Sequence, residues 1–168
     1  MDLSTDRRKV DPSVFIADTA TLIGDVTIGC HSSVWFGVVM RGDVAPITVG
    51  AGCNIQDGAI VHADAGFPTT IGHRVTLGHG AVVHGATIED DVLIGIRAVV
   101  LNGAVIGRNS IVGAGTVVTE GMVIPPGSLV LGVPAQVVRR INREQEGMIR
   151  QRAADYMEYA RAYKEGWR

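Results

Sequence analysis

The sequence predicts an all-β chain, a single-stranded parallel β-helix followed by an α-helical tail. Three observations predict it. Aliphatic residues return every six positions through most of the chain. Glycine is abundant, 22 of 168 residues, while aromatics make up only 5%. From about Gln136 to Lys164 the chain is rich in Arg, Glu, Ala, Met and Gln, all good helix formers.

The aliphatic anchors run Ile16, Leu22, Ile28, Val34 and Met40, then Val49, Ile55 and Val61, then Ile71, Leu77 and Val83. A last series follows, Ile88, Ile94, Val100, Ile106, Val112, Val118, Ile124 and Val130. The spacing departs from six only between Met40 and Val49, Val61 and Ile71, and Val83 and Ile88. Such a period matches neither a helix nor a simple alternating strand. It matches a short strand plus a turn, with the anchor pointing inward. Glycine often follows the anchor, as at Gly29, Gly50, Gly72, Gly78, Gly95, Gly107 and Gly113, where it accepts turn geometry that other residues resist. Three such hexads close a triangular coil, and coils stack at about 4.8 Å, the ordinary strand spacing. One coil cannot bury its own apolar face, so stability comes from stacking. Threading the anchors onto three faces places Ile16, Val34, Ile55, Leu77, Ile94 and Val112 on the first. The second carries Leu22, Met40, Val61, Val83, Val100 and Val118, and the third Ile28, Val49, Ile71, Ile88, Ile106 and Ile124.

The β-helix is assigned to residues 1–135 and the helical tail to 136–168, after Pro125, Pro126 and Pro134. In the tail, Val138, Ile141, Met148, Ala153, Tyr156, Met157 and Ala160 supply an apolar face, and Gly147 is a candidate break. The tail is expected to pack along the β-helix or across a subunit boundary.

Net charge is −2, with a balance of +3 from Val137 onward and −5 before it. This argues against a nucleic-acid partner, and the tail reads as a solvated helix face of mixed sign. No apolar run is long enough to span a membrane, and the N-terminal residues have no secretory pattern. Cys30 and Cys53 form no spaced framework, which fits a reduced, cytoplasmic setting.

The histidines carry the chemistry. His62 follows Val61 and His84 follows Val83, so the two occupy the same position of the second face in successive coils. Stacked about one strand spacing apart, two imidazoles are able to share a metal ion. His79 follows Leu77 by two positions and lies around a corner, where it is placed to join the pair of an adjacent subunit in a three-fold assembly. Three imidazoles and one open position suit zinc, with Co2+ or Fe2+ as alternatives. His31 and His73 read as surface residues.

Around these histidines stand Met40-Arg41-Gly42-Asp43, Asn54-Ile55-Gln56-Asp57, Val61-His62, Gly78-His79-Gly80 and Val83-His84-Gly85. In this order and spacing they resemble the γ-class carbonic anhydrase family of the hexapeptide-repeat superfamily. The resemblance covers nearly the whole chain. It implies a left-handed coil, a homotrimer with metal at its subunit interfaces, and His62, His79 and His84 as ligands. It also implies reversible hydration of carbon dioxide to bicarbonate by a metal-bound hydroxide. Under the same resemblance Gln56 orients the hydroxide, with a strand-end hydrogen bond to backbone as its alternative role. Arg41 pairs across the boundary with Asp57, with Asp43 nearby, and an interface ion pair is the plainer role for these groups. Tyr156 resembles a tyrosine that short members bring near the metal to bond substrate or bicarbonate, and a core or interface tyrosine is the alternative. Archaeal members place a glutamate shuttle in an acidic loop after the first ligand. Here the loop Ala63–Thr70 is short and holds only Asp64 as a candidate proton carrier. Two other functions stay open: an acyl-CoA thioesterase or acetyltransferase of the same superfamily, and a catalytically weak metal-binding assembly protein.

Overall fold

In the computed structural model, which describes residues 7–166, the aliphatic anchors stack in three columns of in-register parallel strands. On the first face Ile16, Val34, Ile55, Leu77, Ile94, Val112 and Val130 pair in succession. Leu22, Met40, Val61, Val83, Val100 and Val118 form the second column. Ile28, Val49, Ile71, Ile88, Ile106 and Ile124 form the third, which Val10 extends by one strand. The result is a parallel β-solenoid of about seven turns. From Met40 to Val130 every anchor is at most 2% exposed, and each such side chain contributes about 1.5–3 kcal/mol by leaving water. Ile16, on the first coil, stays 40% exposed.

Each break in the period has a local structure. Between Met40 and Val49 one strand, Val39–Val49, runs through a corner and serves two faces. Its Arg41 pairs with His62 and its Ile47 with Thr69, and the ladder to the preceding coil shifts register between Gly24 and Val26. Between Val61 and Ile71 the chain leaves the coil as a loop folded on itself, with Asp64 and Phe67 in an antiparallel bridge. Between Val83 and Ile88 one residue is missing, and Gly85 turns the corner at φ +61°.

The tail differs from the expectation at its start. Gln136–Arg140 is a strand, antiparallel to Ser128–Leu131, rather than helix. Val137 and Val138 are β-branched, and the last coil offers a strand edge on which Val137 meets Val130. Helix α1 (Arg143–Lys164) begins where Asn142 accepts from the Gln145 backbone N–H and Gln145 returns the bond to the Asn142 backbone, a capping box. Gly147 does not interrupt it. A glycine there costs about 1 kcal/mol relative to alanine, which the burial of Ile149, Ala153 and Ala160 offsets. Val138 and Met148, expected on the apolar face, are exposed. α1 lies back along the first face against Phe15–Ile16, Ser33–Val34, Asn54–Ile55 and Thr76–Leu77. Phe15, Trp35, Tyr156 and Tyr163 form an aromatic cluster at that contact, with Trp35 5.4 Å from Tyr156 and 5.2 Å from Tyr163, both edge-on. No helix is long and apolar enough to cross a membrane among the described residues.

Candidate metal centre

His62 ends the strand Ile60–His62 and His84 ends Val82–His84. The two are direct partners in the parallel ladder, and Arg41 is the partner of His62 one coil earlier. This register sets the rings 4.8 Å apart, with His62 Nδ1 2.9 Å from His84 Nε2. The Thr69 hydroxyl strengthens the alignment where the ladder ends. It donates to the His62 carbonyl and accepts from the Gly85 N–H, so it clips one histidine's coil to the next.

The outer nitrogens of both rings are engaged. His62 Nε2 lies 3.3 Å from Asp43 Oδ1, and Asp43 also receives Arg41 Nη1 at 2.6 Å. Burial pushes the Asp43 carboxyl up. The hydrogen bond from Arg41 and those from its own backbone and His62 outweigh this and hold it below the ordinary carboxylate range. On the other ring, His84 Nδ1 lies 2.7 Å from Asn102 Oδ1, and Asn102 Nδ2 donates to Asp64 Oδ2 at 3.1 Å.

These contacts decide where the ring hydrogens are. A carboxylate only accepts, so His62 Nε2 carries the hydrogen that faces Asp43. By the same rule the Asn102 amide turns its nitrogen to Asp64 and its oxygen to His84, whose Nδ1 therefore donates. With those hydrogens on the outer nitrogens, His62 Nδ1 and His84 Nε2 face each other at 2.9 Å, a gap that one shared proton or one metal ion fills. Nitrogens about 2.0–2.1 Å from a tetrahedral ion stand about 3.3 Å apart, so the pair needs to open by only a few tenths of an ångström. Asp64 adds a carboxylate oxygen, and one ligand atom from each of His62, Asp64 and His84 lies within 4.8 Å of the others. Imidazole nitrogen with carboxylate oxygen is a donor set for zinc and its neighbours among the divalent metals.

The other expected site residues gather on the first face. His79 Nδ1 is 3.0 Å from Asp57 Oδ2, apart from the His62–His84 pair. Within one chain Asp57 therefore faces His79, while Arg41, its side chain 44% exposed, takes Asp43 as partner. The reason is position: Arg41 and Asp43 share one strand, whereas Asp57 lies past a corner from them. Gln56 is buried and donates from Nε2 to Asn54 Oδ1, and Asn54 donates in turn to the Thr76 hydroxyl. This satisfies the Gln56 amide nitrogen with a side chain rather than with backbone. Gln56, His79 and Tyr156 line one cavity of about 380 Å3 between α1 and the first face, walled by Leu93, Ile96, Ile111 and Met148. Burial, and then the negative Asp57, push the Tyr156 hydroxyl above its ordinary value against the opposing pull of Arg152. His31 and His73 sit on an exposed corner, where His73 Nδ1 accepts from the Ala51 N–H.

Asn102 and Thr69 went unread in the sequence. Extending the ligand column one coil beyond His84 reaches Leu101, and Asn102 is the residue that follows it.

Comparison with known proteins agrees with this fold. The family model "Bacterial transferase hexapeptide (six repeats)" matches residues 85–120. The "Probable carbonic anhydrase" of Methanocaldococcus jannaschii is 55% identical over 148 residues, spanning 88% of this chain and 93% of that protein. "Gamma carbonic anhydrase 1, mitochondrial" of Arabidopsis thaliana is 42% identical over 160 residues, 92% of this chain and 58% of that one. Among solved structures, a hexapeptide transferase family protein from Anaplasma phagocytophilum superposes with a TM-score of 0.90 at 38% identity, covering 93% of this chain and 92% of that one.

Proposed function

Because the chain belongs to the γ-class carbonic anhydrase family, we propose that it catalyses the reversible hydration of carbon dioxide to bicarbonate at a metal centre built on His62 and His84. The observation that carries this reading is the pair of ring nitrogens, His62 Nδ1 and His84 Nε2, held 2.9 Å apart by strand register. His79 of a second copy completes the ligand set in a homotrimer, since its own ring stands apart from the pair in one chain. Zinc is the expected ion, and Co2+ or Fe2+ suit the same ligands. Bound there, the ion is a Lewis acid that lowers the pKa of water toward neutrality.

The cavity beside the second copy's His79 supplies the rest. The cavity walls Leu93, Ile96, Ile111 and Met148 offer carbon dioxide an apolar surface. With its nitrogen committed to Asn54, Gln56 presents an amide oxygen that accepts from the reacting hydroxyl group and aims it. Tyr156, whose phenol is protonated near neutral pH as any tyrosine's is, donates to a bicarbonate oxygen. Asp64 is the carboxylate beside the histidine pair that relays the product proton toward solvent. Free Cys30 and Cys53 suit a cytoplasmic location.

The test is stopped-flow carbon dioxide hydration on metal-quantified protein beside His84→Ala, with sedimentation of both. Hydration above buffer in a trimer, lost in the variant, is expected. A full metal complement without hydration refutes the reading and turns attention to acyl-thioester substrates at the same centre. A monomer that hydrates at full rate refutes the role given to His79.

A further inference from the structure

The Asn102 amide touches two groups of the candidate centre at once. Its oxygen receives His84 Nδ1 at 2.7 Å, and its nitrogen gives to Asp64 Oδ2 at 3.1 Å. The fold makes room for it. A Cβ on Gly85 would collide with Asn102 Oδ1 and come within 2.8 Å of Phe67 Cβ, so glycine at this corner lets the amide lie against the His84 coil. Phe67, bridged to Asp64 across the loop, rests over Gly85 and Gly103, which seats the loop carrying Asp64 on the coils below.

We propose that Asn102 is a positioning residue of the metal centre, orienting His84 through its oxygen and Asp64 through its nitrogen. The inference rests on the metal-centre reading above. Only a carboxamide performs both tasks, because it is the one side chain of this size with a donor and an acceptor in a single plane. Aspartate in its place sets two carboxylates face to face, and leucine keeps the volume but abandons both partners. One consequence is that the bond from His84 Nδ1 to Asn102 Oδ1 favours the tautomer whose Nε2 is available to an ion. Groups that orient a ligand in this way are typically worth about 10–100-fold in metal affinity.

The experiment measures Zn2+ affinity by chelator competition, and the visible spectrum of the Co2+-loaded protein, for wild type and four variants. These are Asn102→Leu, Asn102→Asp, Asp64→Asn and the double Asn102→Asp/Asp64→Asn, each checked for fold by circular dichroism. Asn102→Leu is expected to weaken binding by about 10–100-fold and to alter the cobalt bands with the β signal unchanged. Asn102→Asp alone weakens binding similarly. In the double variant the two side chains exchange roles. The amide introduced at position 64 donates to the carboxylate introduced at position 102, which still accepts from His84, so the affinity returns to that of Asp64→Asn. Wild-type affinity and spectrum in Asn102→Leu overturn the inference alone, and so does a double variant no better than Asn102→Asp. Wild type that takes up no metal overturns the centre and the inference together.

Discussion

Replacing Gly85 by alanine tests how the corner supports the site. Gly85 sits at φ +61°, a region that costs an L-residue about 1–2 kcal/mol. The added Cβ meets Asn102 Oδ1 and Phe67 Cβ, so the amide has to swing away from His84 and Asp64. Losing one neutral and one charge-assisted hydrogen bond in a partly hydrated place adds about 1–3 kcal/mol. The total expected loss is about 2–5 kcal/mol. Gly58→Ala is the control: Gly58 has φ +68°, and a Cβ there meets nothing within 4 Å. It carries the backbone strain alone, about 1–2 kcal/mol. Urea titration of the metal-free protein measures both, and chelator competition measures Zn2+ affinity in the same pair. Gly85→Ala should lose at least about 1 kcal/mol more than Gly58→Ala, and only Gly85→Ala should bind zinc more weakly. Equal losses with equal affinities would refute the reasoning, because strain would then account for everything.

Three further outcomes are expected. Thr116 Oγ1 is buried with no hydrogen-bond partner, so Thr116→Val should gain about 1 kcal/mol and raise the melting temperature by about 2–4 °C, and a lower melting temperature contradicts this. Burial pushes the Cys53 thiol up to about 12, so at pH 8 a thiol reagent should modify Cys53 only as fast as the protein unfolds. Labelling of folded protein at the rate of a free thiol, read by peptide mass, would count against it. Asp11 accepts from the Ser13 hydroxyl and backbone N–H, bonds that hold its carboxyl below the ordinary value. The stability it contributes is present above the unfolded-state pKa and is lost as pH falls through the lower folded value. Ser13→Ala should move the Asp11 titration, followed by NMR, upward toward the ordinary carboxylate range, and an unmoved midpoint denies the bond its role.

Much of this was legible because a six-residue period admits one threading. Once Val61 and Val83 shared a column, the stacking of His62 on His84 followed without any tertiary information. The first strand of the tail was not legible in the same way. Gln136–Arg140 contains residues that suit helix by composition, and what makes it a strand is the edge of Ser128–Leu131 lying beside it. The capping box at Asn142 and Gln145 was present in the sequence, and it marks where helix begins. Asn102 was hidden for a different reason. Its partners sit 18 and 38 positions away, and a lone asparagine in a repeat reads as a turn residue until the column beside it is known to hold a ligand.

The course of α1 has a consequence for how the molecule comes apart. A stack in which each coil meets only its neighbours is free to open one coil at a time from either end. Here the helix departs from the last coil, and its final turn reaches the first, where Lys164 Nζ donates to the Pro12 and Val14 carbonyls. Its 22 residues span about 33 Å, and seven coils stand about 29 Å from first to last, so the helix matches the stack it crosses. Fraying at one terminus therefore drags on the other. In terms of connectivity the array is a closed circuit rather than a ladder, and a single cooperative melt is the behaviour that circuit imposes.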